Sequence, residues 1–449
     1  MERHPNVALT EHLRAAAWSD KGTARRVNAE RLRRGRPTGY DGANVRGWLR
    51  GVVPDPVTRD VLAYLLSAAL DRSVTTADLG FTGEVSPHLG LIWQERLSDA
   101  VDDAGRLWAV PDGAGYPLVH GAYGTPTRDW LLAWPEPDGA AAFECSTARV
   151  RRQIGRDEVD VLWTACETYQ EMERRLGAGN VRTTAARLLT DVVTPMLRAT
   201  YTSEVGARLL GVAARLTDIL GYAAYDALED GLAQRYFIQA LRLARAAGDD
   251  ALAAHIFGDM ARHATHIGDL REALALSRAG QRAAGSGGSP ADEARTASLE
   301  SRVLAMLAEP RSSATAMTVA ERRLSGVDMA GAAAWVRYFT PEQLDGEFAH
   351  VAAASGRHDE VLRFAAAPMA EGKLQRRTAL LATAVARAHL GSGSLEEAAS
   401  VATTVLDLSQ GLASRRVARE VSTLCEAVAT LLPPAEGLRL RRRATSRAA

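Results

Sequence analysis

Cysteine, lysine and long apolar runs are all scarce in this chain of 449 residues. The three cysteines, Cys145, Cys166 and Cys425, lie far apart, which excludes a disulfide framework and any CxxC metal or redox pair and predicts a reducing compartment. Lysine occurs only at Lys21 and Lys373, so nearly all other positive charge is arginine, the bias of a GC-rich genome. No apolar run approaches the roughly 20 residues of a membrane span, and the N-terminal MERHPNVALTEHL is polar and charged. Secretion and membrane insertion are not expected; a cytoplasmic, nucleoid-associated location is. The formal charge of zero excludes a generally basic polymer-coating protein, so any nucleic-acid surface must be a local concentration of charge. Enzyme signatures are missing too: no GxxxxGK(S/T) phosphate loop, GxSxG elbow, HExxH pair or kinase set occurs. Lys373 in AEGKLQ lacks the preceding glycine spacing, and GSGGSP at Gly285 to Pro290 is a turn between repeats. The expectation is a non-enzymatic protein without cofactor or metal.

What is present is enough apolar residue, 47% against 24% charged, to fold a chain too long for one compact core. The pattern predicts an all-α protein in four parts. Residues 1–83 form a small helical bundle, 84–156 an irregular connector, 157–433 a helical repeat array and 434–449 a basic flexible tail. The connector scatters Trp93, Trp108, Tyr116, Tyr123, Trp130 and Trp134 among Pro and Gly without a sustained helical period.

In the bundle, ANVRGWLRG from Ala43 reads as a helix with Val45, Trp48 and Leu49 on its inner face. Ala43, Arg46, Gly47 and Arg50 then point outward, small residues beside two guanidiniums, with Asn44 at the flank positioned for an adenine edge. The preceding helix, from Gly22, sets Ala24 and Val27 inward and carries Arg25, Arg26, Arg31, Arg33 and Arg34 elsewhere on its surface. From Lys21 to Arg50 the only acids are Glu30 and Asp41, so this local cationic excess suits phosphates, as do the hydroxyls of Thr38 and Tyr40 in the turn. The first helix contributes Leu9, Leu13 and Ala16 or Ala17 to the core, the fourth Val61, Leu65 and Ala69, and VTTADLGF suggests a fifth short helix.

These segments, WSDKGTARRVN, YDGANVRGWLRGVVPDP and VTTADLGF, resemble the N-terminus of actinobacterial regulators of the lambda-repressor-like (XRE) helix-turn-helix class that carry a tetratricopeptide C-terminal region. The resemblance covers about residues 8–81 and again about 204–284. It implies transcriptional regulation, connected in this group to development and secondary metabolism. Helix two, turn and helix three correspond to Gly22–Arg34, Gly35–Gly42 and Ala43–Arg50. Here the turn is long, and the Gln often found at the start of the reading helix is absent.

The repeat region carries the small–small–aromatic–small pattern that lets paired helices pack closely: Gly221, Ala233, Phe237 and Ala240, then Ala261, Ala273, Ser277 and Gly280. Later second helices begin near Arg311, near Gly356 and at Leu395. On that register Arg215, Asp218, Tyr222, Tyr225 and Asp226, then His255, Arg262, Thr265 and His266, line a concave groove suited to a peptide, small-molecule or protein effector. His255, His263 and His266 fall on different aspects of their helix, so no metal site is expected. The expected activity is sequence-specific binding of double-stranded DNA as a homodimer, modulated through the array. The alternative is a tetratricopeptide interaction scaffold without DNA contact.

Overall fold

The computed structural model describes residues 5–70, 74, 76, 78–81, 88–111, 115–132, 153–371 and 375–445. Among these residues the chain is helical without a strand; an isolated bridge joins Gln153 to Thr200. Trp134, Cys145 and Lys373 lie outside the described residues. No helix among those described is long and apolar enough to cross a membrane. The chain divides into two compact units, Met1–Leu89 and Gly90–Ala449.

The first unit contains α1 (Val7–Ala15), α2 (Asp20–Arg33), α3 (Gly42–Leu49) and α4 (Pro56–Leu70). Ser19 caps α2 by accepting from the Gly22 amide, and Asp41 caps α3 by accepting from Ala43 and Asn44, so each helix starts where its orphan N–H groups find a side-chain oxygen. Leu9, Leu13, Val27, Val45, Trp48 and Leu62 make its core. Two expectations change. On α4 the inward face is Val61, Leu62 and Leu66, while Leu65 is half-buried and Ala69 exposed. The described residues of VTTADLGF form turns rather than a fifth helix, and Val74, Leu79 and Phe81 close the core from there.

The second unit begins with α5 (Leu97–Trp108) and α6 (Gly124–Leu132), two helices inside the stretch expected to be irregular. They are followed by α7 (Arg156–Leu176), α8 (Arg182–Leu188), a π-turn over Leu189–Val193, and α9 (Thr194–Leu197). Hairpins then succeed one another: α10 (Ser203–Asp226) with α11 (Asp230–Ala247), α12 (Asp250–His266) with α13 (Leu270–Ser286), and α14 (Pro290–Met306) with α15 (Pro310–Leu324). The next pairs are α16 (Pro341–Ala354) with α17 (His358–Glu371), α18 (Gln375–Gly391) with α19 (Leu395–Leu408), and α20 (Arg415–Leu431) with α21 (Pro434–Thr445). These consecutive pairs are consistent with a repeat solenoid. The expected basic tail is helical to Thr445, and Leu440 is buried against the last hairpins.

The small-residue pattern explains the close pairing. A Cβ on Gly221 would lie 2.7 Å from the Phe237 ring, and one on Gly280 2.7 Å from the Thr296 methyl. Only the absence of a side chain allows these approaches.

The Trp-rich stretch packs onto α10–α13. Trp108 donates its indole N–H to Thr217 (2.9 Å), Tyr123 hydrogen-bonds His263 (2.8 Å), and Trp130 stands edge-on to Phe257. Along α11, Gln234 both donates to and accepts from the Val119 backbone, while Arg235, Gln239 and Arg242 donate to carbonyls of Pro117, Gly90 and Gln94. A Cβ on Gly231 would sit 2.2 Å from the Tyr116 carbonyl oxygen, which shows how tightly this strip lies on α11. Side-chain donors replace the ladder that an irregular backbone cannot make for itself.

Candidate functional site

Two places collect polar side chains beyond what the fold requires. The first is the outer face of α2 and α3. Val45 and Trp48 are buried, Tyr40 meets Trp48 edge-to-face at 5.1 Å, and Ala43, Asn44, Arg46 and Arg50 are exposed, with Gly47 half-buried. Arg25, Arg26 and Thr38 are exposed nearby; the Arg26 guanidinium lies over Trp18 at 4.7 Å. Arg46 has Asp20 at 3.6 Å, both solvated, a pair weak enough to be exchanged for another anion.

Three of the cations and two of the polar groups assigned to this face are committed elsewhere. Arg31 is buried, not on the surface: it donates to Asp55 (3.0 Å), to Thr58 (2.6 Å) and to the Pro37 carbonyl (2.8 Å). Arg33 and Arg34 both bind Glu30. The Tyr40 hydroxyl, expected to face a phosphate, donates to Asp55 instead. Asn44 closes a capping box, its Oδ1 accepting from the Asp41 amide at 2.9 Å, so only its amide N–H groups remain and bidentate pairing with adenine is lost. Burial alone would raise the Asp55 carboxyl, but hydrogen bonds from Thr58, Tyr40 and Arg31 hold it down to about 2.

The second place is inside the helix array. The predicted groove residues are mostly interior, because carboxylates and guanidiniums from α7, α14, α16, α18 and α20 close over them. Arg215 pairs with Asp218 within α10, and both are buried. Asp226 lies 3.3 Å from Arg376 and 3.4 Å from Arg416, and Arg416 also donates to the Tyr225 hydroxyl (2.9 Å). Arg262 holds Glu347 at 2.7 Å. His255 sits between Asp259 (3.5 Å) and Asp292 (3.3 Å), yet burial and the surrounding arginines push its pKa well down. Tyr222, Thr265 and His266 are half-buried; Thr265 donates to the Ala261 carbonyl, and burial lowers His266 to about 4.

Asp218, His255 and Asp259 bring one ligand atom each within 4.8 Å of one another. Arg215 and Arg295 already engage the two carboxylates, so a metal ion there would sit against two guanidiniums. The donor set does not suit a cation.

Beside this cluster lies a cavity of about 40 Å³, walled by Gln170, Arg174, Tyr222, Tyr338, Arg376 and Arg377 among others. Tyr222, Arg215 and His255, assigned from the sequence to a concave groove, are on its wall; the wall residues from α7, α18 and the segment before α16 were not singled out. Their signal was faint: arginine on an inward helical position looks the same as arginine on a solvated one until its partner is known.

Residues 9–82 match a family model described as the SP15 N-terminal domain. No curated protein matches the chain. The chain thus has an SP15 N-terminal domain match followed by a long all-helical region of packed helix pairs.

Proposed function

We propose that this protein is a sequence-specific DNA-binding transcriptional regulator of the lambda-repressor-like class, with a tetratricopeptide-type array as its sensing and dimerising part. The observation that carries this reading is α3, where buried Val45 and Trp48 fix a short rod whose outer face offers Ala43, Arg46 and Arg50. Small residues let such a helix sit deep in a major groove, and the arginines supply bidentate donors to guanine or phosphate. Arg25, Arg26 and Thr38 add exposed phosphate donors. A homodimer would present two such rods to paired half-sites. On this reading the activity is non-enzymatic and the protein works at the nucleoid.

A second reading, an interaction scaffold without DNA contact, is favoured by one observation: Arg31, Arg33 and Arg34 spend their charge on Asp55 and Glu30. Selection of bound genomic fragments followed by mobility-shift assays separates the two. Regulation predicts recovered sites, affinity that falls steeply with salt, and at least a tenfold loss in the Arg46→Ala/Arg50→Ala variant. No binding at low salt, or unchanged binding by the variant, would leave the scaffold standing.

A further inference from the structure

The cavity in the helix array is unevenly charged. Four guanidiniums line it, those of Arg174, Arg215, Arg376 and Arg377, against the two carboxylates of Glu173 and Asp259. Arg215 is matched by Asp218, Asp259 by Arg295, and Arg376 by Glu173. Arg174 and Arg377 are left without a carboxylate of their own, although Arg174 shares the Trp335 carbonyl with Gln170 (3.2 and 3.0 Å). Among the described residues the nearest carboxylate to either is 4.0 Å away, and the one near Arg377, Glu347, already belongs to Arg262. Both guanidiniums lean on the Tyr338 ring, at 4.4 and 4.2 Å.

Two cations gathered at one ring inside a protein without a carboxylate of their own are unfavourable unless an anion joins them. Arg174 registers the strain: burial first, then the charges of Arg377 and Arg215, lower its pKa to about 10. The wall also holds an unpartnered donor, the Nε of buried Arg376. Room of about 40 Å³ suits one tetrahedral group or a few waters, not a peptide segment.

We propose that this cavity binds a phosphate group, free or carried by a small molecule, held between the guanidinium forks of Arg174 and Arg377 with Gln170, Tyr222 and Tyr338 at its edge. Arginine forks match the spaced oxygens of phosphate, and two of them can neutralise a dianion. The anion binds α7, the Tyr338 segment and α18 together, so occupancy tightens the closure of the array over α10. As the effector of a regulator this rests on the function proposed above, but phosphate binding is measured without DNA, so either idea can fail alone.

The test is calorimetric and thermal titration of the full chain with inorganic phosphate, at ionic strength matched by chloride. Phosphate should raise the melting temperature in a saturable way, and Arg377→Gln should weaken its affinity at least tenfold. In phosphate-free buffer Arg377→Gln should melt no lower than the parent, because it removes a repelling cation. Arg174→Gln should weaken phosphate binding alike, while also giving up the bond to the Trp335 carbonyl. Phenyl phosphate binding more tightly than inorganic phosphate points to a carried group, and equal binding to the free ion. No shift with phosphate, a shift in both variants equal to the parent's, or an Arg377→Gln protein that already melts lower without phosphate would overturn the proposal.

Discussion

At the residue scale, the firmest feature of the N-terminal unit is the node of Arg31, Tyr40, Asp55 and Thr58. It ties α2 to the start of α4 and fixes the turn that delivers α3. Asp55→Asn should destabilise this unit by about 2 kcal/mol, since it leaves the buried Arg31 guanidinium without its counter-charge; the figure sits below that of a fully enclosed pair because the Asp55 side chain keeps 39% exposure. The pH dependence follows in sign. Asp55 is held at about 2 in the fold against an ordinary 3.8, so its contribution is complete above about pH 4 and disappears as pH falls toward 2. Acid unfolding followed by tryptophan fluorescence should lose that component in Asp55→Asn; an identical acid profile for the variant would contradict this role. None of it was visible in the sequence, where Arg31 shares a helix with exposed Arg25 and Arg26. Its burial is decided by Asp55 and Thr58, more than 20 positions away.

At the element scale, periodicity carried what was local. The α3 face was legible because Val45 and Trp48 are close enough in sequence to define an inner side by themselves. The hairpins were legible because close packing demands small residues at fixed intervals. Gly221→Ala tests that demand: its Cβ would meet the Phe237 ring, and the overpacking should cost about 1–3 kcal/mol in denaturant unfolding. A variant as stable as the parent would mean α10 and α11 can part without penalty. By contrast, α5 was overlooked although Leu97, Ala100, Val101, Ala104, Leu107 and Trp108 follow a helical period, because prolines and glycines on either side suggested an irregular stretch. The buried charge network was read as a groove for a similar reason. Arg215, Asp218 and Asp226 were assigned to a concave groove, but periodicity within one hairpin cannot show that Arg376 and Arg416 arrive from other hairpins to cover Asp226.

At the scale of the whole molecule, each unit has its own apolar core. Scanning calorimetry should therefore resolve two transitions, and Asp55→Asn should lower only one of them. A single transition moved as a whole by that substitution would show the two units to be thermodynamically one.

The strip that lies along α11 has a consequence for how the chain is made. Trp108 and Gly90 find their partners 109 and 149 residues later. At translation speeds of about 5–20 residues per second, the ribosome needs on the order of ten seconds to deliver that receiving surface. During this interval the aromatic side chains of the strip emerge with nothing to cover them. Newly made protein should thus depend on chaperones until α12, which receives Tyr123 and Trp130, has left the exit tunnel.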